Sequence, residues 1–305
     1  MNFDKIIINV QNRFFQPIEV ILRRLLTYED VHPIWIIGSP RSGTTLTYQL
    51  LCKSIEASYL TNRVANRYKI ALLTRIFERT FKKKSLEPDS YKSDFGRTKS
   101  NSDPHEGGQF FYQFYSFENQ YSDKESLELS KKKSFKRIIN AIAFPSKLFI
   151  SKNTVHSLRI KSLMEIFPNS SFLWVTRDKL DLIHSISQSY LKNKVQKDEW
   201  WGARVPDWEK YTSKAIEEKA LFQSNQIDDI IKNDLKSTKA NYCKVSYKEL
   251  CEDPKRVISE ISDKLKLNDF LKDLEKEVPD SFECSRAPKD ELANKIKDLL
   301  KRSEQ

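Results

Sequence analysis

An apolar run, a loop bounded by Gly38 and Gly43, and a helical segment opening at Thr44 follow one another within residues 34–51. The two glycines permit a tight turn in which the backbone N–H groups point inwards. The start of a helix adds positive electrostatic potential at the same place. This stretch therefore predicts a phosphate-binding loop, whose candidate binding residues are Gly38, Ser39, Pro40, Arg41, Ser42, Gly43, Thr44 and Thr45.

The spacing of this loop is that of the ATP-binding P-loop, G-x-x-x-x-G-K-[ST], with one departure. Thr44 stands where a nucleoside triphosphatase has the lysine that reaches the β- and γ-phosphates. Arg41 is the one cation within the loop sequence. A small-molecule kinase remains an alternative at this point, as does a strand, turn and helix that bind nothing.

The segment Pro40-Arg-Ser-Gly-Thr-Thr45 after an apolar strand resembles the 5′-phosphosulfate loop of sulfotransferases that use 3′-phosphoadenylyl sulfate (PAPS). The resemblance implies PAPS as the donor co-substrate and no metal. It extends over three blocks, residues 34–51, 151–190 and 242–254. The intervening parts are expected to select the acceptor.

PAPS also carries a 3′-phosphate, which needs a second binding site. Arg177 follows a predicted strand over residues 171–176, and Ser185 comes eight residues later, about two turns into the next helix. Sulfotransferases bind the 3′-phosphate with an arginine and a serine at this spacing, so the resemblance assigns Arg177 and Ser185 to it. Arg286, in the C-terminal tail, is a further candidate for cofactor binding.

Sulfuryl transfer is an in-line displacement, which needs an oriented acceptor, a base, and stabilisation of the charge on the departing phosphate oxygen. Arg41 and the N–H groups of the loop suit that last task. Lys152 ends a second predicted strand, and the resemblance assigns it as an electrophilic stabiliser near the leaving oxygen or the sulfuryl group. The alternative for Lys152 is a surface lysine at a strand end.

The resemblance also implies candidates for the general base. Cytosolic sulfotransferases have Lys-Thr-His at this strand end, but this chain has Lys152-Asn-Thr154, and Thr154 cannot act as a base. Carbohydrate-type members use a glutamate between the loop and the lysine, and Glu106 lies in that interval. We therefore take Glu106 as the candidate base, with His105 second and His156 third. The alternative for Glu106 is a carboxylate that complements a helix dipole.

Predicted strands alternate with helices along the chain, which indicates an α/β fold with a central parallel sheet between two helical layers. The resemblance implies the three-layer sandwich of P-loop NTPase-like sulfotransferases. Apolar runs place strands near residues 34–37, 147–152, 171–176 and 242–247, and helices over 153–167 and about 209–235. We expect one domain over residues 1–305, with variable acceptor-binding insertions at about 52–150 and 191–241.

The N-terminal segment, residues 3–26, places apolar residues at helical spacing, and Pro17 is expected to kink or split this helix. We expect its apolar stripe to pack against the domain; peripheral contact with an anionic membrane is the alternative. Residues 87–103 are polar and predict a loop that gates the substrate. Aromatic residues over 110–121 predict a helix, in the core or as a sugar-stacking platform. Together with those over 200–208, they suggest a glycan or glycolipid acceptor.

The chain has 53 Lys and Arg against 42 Asp and Glu, a net charge of +11, which favours anionic partners. No motif supports a nucleic acid as that partner. The four cysteines form no C-x-x-C pair, so the sequence suggests neither a zinc site nor a disulfide framework. No apolar run is long enough to cross a bilayer and no signal peptide is evident, so we expect a cytoplasmic protein.

The leading hypothesis is thus a PAPS-dependent sulfotransferase that acts on a hydroxyl group or, less readily, an amine. One alternative is a P-loop small-molecule kinase. The other is a catalytically inactive scaffold that keeps the nucleotide-binding fold.

Overall fold

Five parallel strands form the central sheet in a computed structural model that describes residues 3–26, 28–81, 91, 98, 100–123 and 125–303. The strands are β1 (His32–Ile37), β2 (Ser58–Tyr59), β3 (Leu148–Lys152), β4 (Ser171–Thr176) and β5 (Asn241–Ser246). They lie side by side in the order β2-β3-β1-β4-β5, and every neighbouring pair is parallel.

Helices connect the strands and cover the sheet. The described α-helices are α1 (Phe3–Leu25), α2 (Thr44–Ser54), α3 (Asn62–Asn66), α4 (Ala71–Phe81), α5 (Gly108–Phe111), α6 (Leu129–Ala143), α7 (Ile160–Ile166), α8 (Lys179–Lys192), α9 (Ile216–Thr238), α10 (Tyr247–Glu252), α11 (Pro254–Leu265), α12 (Leu274–Glu277) and α13 (Glu291–Ser303). Short 3₁₀ helices span Tyr68–Ile70, Thr154–Leu158, Trp208–Tyr211 and Asn268–Phe270.

Alternate side chains of β1 enter two separate cores, because successive residues of a strand point to opposite faces. Trp35 and Ile37 pack in the core that includes side chains of α6, α7 and α9. Ile34 and Ile36 pack in the other core, with side chains of α2, α10 and α11. The predicted α/β sandwich with a parallel sheet between helical layers is therefore confirmed.

The register of the sheet brings the carboxyl ends of its strands to one edge. Ile36 of β1 is opposite Lys152 of β3, and Ile37 is opposite Trp174 of β4. Thr176 of β4 is opposite Ser246 of β5. Residues that follow β1, β4 and β5 therefore lie along the same edge as Lys152, where parallel α/β sheets bind ligands.

Three helix predictions are wrong in detail. Residues 153–167 form a 3₁₀ helix followed by α7, because Asn153 caps the first turn by accepting a hydrogen bond from Val155 N at 2.9 Å. The helix predicted from residue 209 begins at Ile216, where Glu218 caps the N–H of Ala215. The aromatic segment 110–121 is helical only to Phe111, at the end of α5.

Helix α1 is not split at Pro17, and most of its described apolar stripe does not pack against the domain. Leu22 and Leu26 do contact the core. The exposed members are Val10, Phe14, Ile18, Ile21 and Leu25. The expectation that the stripe faces the domain is therefore wrong for these five side chains; the side chains of residues 3–7 lie outside the described part.

Polar contacts attach α1 to the domain instead. The Glu19 carboxylate accepts hydrogen bonds from Leu72 N at 3.0 Å and Leu73 N at 2.9 Å, at the start of α4. The carbonyl of Tyr68 accepts from Arg23 of α1 at 3.5 Å and from Gln113, just beyond α5, at 3.1 Å. The predicted gating loop over residues 87–103 lies mostly outside the described residues.

Candidate active site

The loop from Gly38 to Gly43 joins β1 to α2, as predicted, and is closed by a hydrogen bond from Ser42 N to Ser39 O at 3.2 Å. Gly38 has φ 148° and Gly43 has φ 101°, both in the region that glycine tolerates. A Cβ on Gly38 would lie 2.5 Å from the Val175 carbonyl, and one on Gly43 would lie 2.2 Å from the Tyr247 ring. Both positions therefore require glycine.

Ser157 fixes the start of this loop. Its hydroxyl accepts a hydrogen bond from Gly38 N at 2.9 Å and lies 3.1 Å from Gly38 O, to which it donates. The hydroxyls of Ser39 and Ser42 are buried, and neither has a hydrogen-bond partner among the described residues. Buried hydroxyl groups without partners are costly, so these two suit the oxygens of a bound phosphosulfate.

The two predicted phosphate-binding groups meet in one cluster. Arg41, at φ 70°, directs its guanidinium Nε to Ser185 Oγ at 3.1 Å. Arg177 donates to the Arg41 carbonyl at 3.0 Å and to the Ser285 carbonyl. Its guanidinium also lies 4.9 Å from the centre of the Tyr247 ring. Arg41, predicted to act at the leaving phosphate, thus shares a hydrogen bond with the residue predicted to hold the 3′-phosphate.

A cavity of about 220 Å³ opens beside this cluster. Its lining residues are Arg177, Asp178, Asp181, Tyr247, Lys248, Cys284 and Arg286. Both carboxylates already accept backbone N–H groups: Asp178 from Asp181 N at 3.1 Å, and Asp181 from Ala287 N at 2.7 Å. Three cations also line the cavity: Arg177, Lys248, which is 3.8 Å from the Glu252 carboxylate, and the predicted candidate Arg286.

Lys152 lies between the loop and the candidate base. Its ammonium donates to Thr45 Oγ1 at 3.2 Å and forms a short ion pair with the Glu106 carboxylate. The Lys152 side chain is 4% exposed, whereas that of Glu106 is 33% exposed. Lys152 is therefore a buried group of the site, which argues against the alternative of a surface lysine. The Glu106 carboxylate remains accessible from outside.

Backbone contacts hold Glu106 in place. Asn153 donates to the Glu106 carbonyl at 3.1 Å, and the preceding His105 N donates to Leu60 O at 2.8 Å. His105 Nδ1 accepts from Gly107 N at 2.8 Å, so this nitrogen already has a proton donor facing it. Glu106 therefore stays the first candidate for the base.

His156, the third candidate for the base, lies in the aromatic core. Its ring is fully buried, 5.0 Å from the centre of Trp35 and 4.4 Å from that of Phe111. Burial, with smaller effects from Arg159 and Lys152, lowers its pKa well below 6.5. An acceptor hydroxyl cannot reach His156 without displacing that core.

Arg159 is a residue that sequence reasoning missed. It is 1% exposed, and none of its three guanidinium nitrogens has a hydrogen-bond partner among the described residues. Its guanidinium carbon lies 4.2 Å from the centre of the Tyr115 ring and 5.8 Å from that of Tyr112. Burial lowers its pKa to about 10. A single arginine among apolar residues two positions after Ser157 was the available signal.

The two predicted insertions meet near a second cavity of about 430 Å³, lined by residues 118, 119 and 204–209. Gln120 accepts from Arg204 N at 2.8 Å and donates to Tyr112 OH at 3.3 Å. The Arg204 guanidinium lies 4.9 Å from the ring centres of both Phe117 and Trp208. Four other aromatic residues of the 110–121 segment, Phe110, Phe111, Phe114 and Tyr115, are buried in the core and cannot stack on a sugar.

Among the described residues, no group of three or more His, Cys, Asp and Glu side chains is placed to hold a metal ion.

Comparisons with known proteins show the family and the fold of the chain. The model of the sulfotransferase family matches residues 33–271. The sulfotransferase STF9 from Mycobacterium avium has a similar fold, with a TM-score of 0.53 at 15% identity, covering 96% of this chain and 72% of that one. The sulfotransferase STF1 from Mycobacterium tuberculosis H37Rv gives a TM-score of 0.47 at 14% identity, covering 95% and 74%. Among curated proteins, nothing matches.

Proposed function

This chain belongs to the sulfotransferase family, and we propose that it transfers the sulfuryl group of PAPS to a hydroxyl group of an acceptor. The observation that carries the proposal is the position of Lys152, whose ammonium contacts both Thr45 of the loop and the Glu106 carboxylate. One buried cation thereby links a phosphate-binding loop to an accessible base. Such a pairing suits transfer between an anionic donor and a hydroxyl acceptor.

The donor would occupy two parts of the site. The Ser39 and Ser42 hydroxyls and the loop N–H groups would hold the 5′-phosphosulfate, since these hydroxyls are buried without partners among the described residues. Arg177 and Ser185 would hold the 3′-phosphate, with Arg41 beside Ser185. Arg286 lies in the adjoining cavity and would add a further positive charge.

In the reaction, the acceptor oxygen forms a bond to sulfur as the bond from sulfur to the 5′-phosphate oxygen breaks. Glu106 takes the proton of the acceptor hydroxyl. The departing phosphate oxygen keeps the electron pair of the broken bond, and Lys152 and the loop N–H groups stabilise its charge. 3′-Phosphoadenosine 5′-phosphate and the sulfated acceptor are the products.

A sugar hydroxyl is the acceptor that we propose, on a glycan or a glycolipid. The support is the cavity between the two insertions, where Arg204 lies against the rings of Phe117 and Trp208. Aromatic faces pack on the apolar faces of sugar rings, and arginine is a donor of several hydrogen bonds to hydroxyl groups.

The other two hypotheses are less well supported. A kinase would need a lysine in place of Thr44, which is buried at the start of α2. A scaffold without activity gives no reason for an accessible carboxylate paired with a buried lysine that also contacts the loop.

Transfer of label tests the proposal. We expect PAPS labelled at sulfur, incubated with the protein and a fractionated extract of the source cells, to label one acceptor fraction, and that fraction to be sensitive to glycosidases. Stabilisation by 3′-phosphoadenosine 5′-phosphate in a thermal-shift titration is the companion measurement. Phosphoryl transfer from ATP without binding of this nucleotide would replace the proposal by a kinase. Binding of the nucleotide without any label transfer would favour the scaffold.

A further inference from the structure

Helix α1 presents a continuous apolar face to solvent. The exposed fractions are 61% for Val10, 74% for Phe14, 46% for Ile18, 56% for Ile21 and 72% for Leu25. At about 100° per residue, these five positions fall within an arc of roughly 80°. Helix α4, which packs beside α1, exposes two more rings, Phe77 and Phe81, whose centres are 5.0 Å apart.

The inner side of α1 is largely polar, which reverses the usual arrangement of a surface helix. Asn12 and Glu19 are buried, and the Glu19 carboxylate binds the first N–H groups of α4 and the guanidinium of Arg23. These contacts fix the orientation of the helix. The apolar face is thus held outwards by the hydrogen bonds from the N–H groups of Leu72 and Leu73 to Glu19.

Positive charge borders this apolar face. Arg13 and Arg24 are exposed and lie together along one edge of the arc, at roughly 80–100° from its centre. Glu19 is the one acidic residue in the sequence between Lys5 and Tyr28, and it is buried. The exposed surface of α1 over residues 10–25 therefore combines large apolar side chains with arginines and carries no carboxylate.

We propose that α1 docks the protein on an anionic lipid surface. Phe14, Ile18 and Ile21 would enter the boundary between headgroups and acyl chains, while Arg13 and Arg24 bind lipid phosphates. An apolar arc bordered by basic residues is the arrangement that places a helix in the plane of a membrane interface. A second copy of the chain is a poorer occupant, because pairing two α1 faces brings like charges together along the arc.

Attachment through α1 would be peripheral, because the exposed apolar residues occupy one arc of the helix. No helix within the described ranges is long and apolar enough to cross a membrane. Docking through α1 would place the protein at the membrane interface, where a glycolipid acceptor lies. The docking proposal rests on α1 alone and stands apart from the proposed transfer reaction.

Co-flotation with vesicles tests the proposal. We expect at least tenfold more protein to float with vesicles of phosphatidylcholine and phosphatidylglycerol than with phosphatidylcholine alone, and less at high salt. The double variant Phe14→Ser with Ile21→Ser should lose at least tenfold of this binding. Leu191→Ser, which replaces a side chain that is 53% exposed on α8, is the matched control and should bind as the wild type does.

Two further double variants test the role of the arginines that border the apolar face. Arg13→Gln with Arg24→Gln should lower the preference for anionic vesicles severalfold, while Lys301→Gln with Arg302→Gln, two exposed charges at the end of α13, should not. The melting temperature, measured without lipid or nucleotide, checks that each variant is folded. Absence of vesicle binding, or binding that survives the α1 double variant, would overturn the proposal. The proposal would also fail if light scattering showed a dimer that the Phe14→Ser, Ile21→Ser variant dissociates. The apolar face of α1 would then be covered by a second copy of the chain.

Discussion

Arg41 Nε donates a hydrogen bond to Ser185 Oγ at 3.1 Å, which joins the loop after β1 to the helix after β4. The Arg41 carbonyl in turn accepts from Arg177 at 3.0 Å. The loop and the residues assigned to the 3′-phosphate are therefore already in contact. We expect binding of either anionic group of the donor to depend in part on the residues assigned to the other group.

Ser185→Ala should reduce affinity for 3′-phosphoadenosine 5′-phosphate by tenfold or more, because a hydrogen bond to a charged group contributes about 1.5–3 kcal/mol. Affinity for adenosine 5′-phosphate, which has no 3′-phosphate, should change much less. Calorimetric titration of the wild type and the variant with both nucleotides measures the loss of affinity for each. Ser187→Ala is the control, since Ser187 is buried on the same helix, about 200° around its axis from Ser185. Equal losses for the two nucleotides would contradict the assignment.

Glu106→Gln should lower turnover by about 10²–10⁴-fold, the usual range for loss of a general base. Binding of 3′-phosphoadenosine 5′-phosphate should stay within about twofold, because Glu106 contacts Lys152 and Asn153 and lies outside the loop. Labelled transfer to the identified acceptor gives the rate, with the exposed Glu125→Gln as control. An unchanged rate would move the role of base to His105.

Arg159→Met should leave the free energy of unfolding unchanged or raise it by up to about 3 kcal/mol. The substitution removes a buried cation that has no hydrogen-bond partner among the described residues. Arg75→Met is the contrasting variant, since buried Arg75 donates to Ile142 O, Ser58 Oγ and the Glu78 carboxylate. That change should cost about 3–5 kcal/mol. Urea unfolding compares the two, and a large loss at Arg159 would show that its stacking on tyrosine outweighs its desolvation.

His156→Gln should reduce the fall in the free energy of unfolding that occurs as the pH drops below 7. Burial lowers the pKa of His156 well below 6.5, so below about pH 6.5 the unfolded chain takes up a proton that the folded chain does not. The wild-type free energy of unfolding should therefore fall as the pH drops from 7 towards 5, by up to about 1.4 kcal/mol per pH unit for this group.

His32 should contribute to the same slope, because burial also lowers its pKa. Urea unfolding of the wild type, His156→Gln and His32→Gln at several pH values separates the two groups. A slope that His156→Gln leaves unchanged would mean that His156 is protonated in the folded protein.

The sheet and its ligand-binding edge were predictable because short apolar runs bounded by polar residues mark buried parallel strands. The predicted strand at residues 171–176 has the observed bounds of β4. Because strands that alternate with helices run parallel, their carboxyl ends lie at one edge of the sheet. Gly38, Lys152 and Arg177 could therefore be placed at that edge. Strand β2 has only two residues, Ser58 and Tyr59, and is too short to leave a periodic signal.

The contacts of the site depend on tertiary structure, which a local pattern does not contain. The ion pair of Lys152 with Glu106 joins residues 46 positions apart, and a family pattern suggested both partners without their contact. The burial of Arg159 was hidden, since basic residues are normally exposed. The outward apolar face of α1 was missed because periodicity shows that a helix has two faces and does not show which one meets the domain.

The Tyr68 carbonyl, which accepts from both Arg23 of α1 and Gln113 beyond α5, gives the protein a route for thermodynamic linkage. Gln113 follows Glu106 by seven residues, so this carbonyl joins α1 to the segment that carries the candidate base. If a ligand of α1 changed the affinity for an acceptor at that segment, the acceptor would change the affinity for that ligand by the same factor. Lipid composition would then act as an effector of acceptor binding.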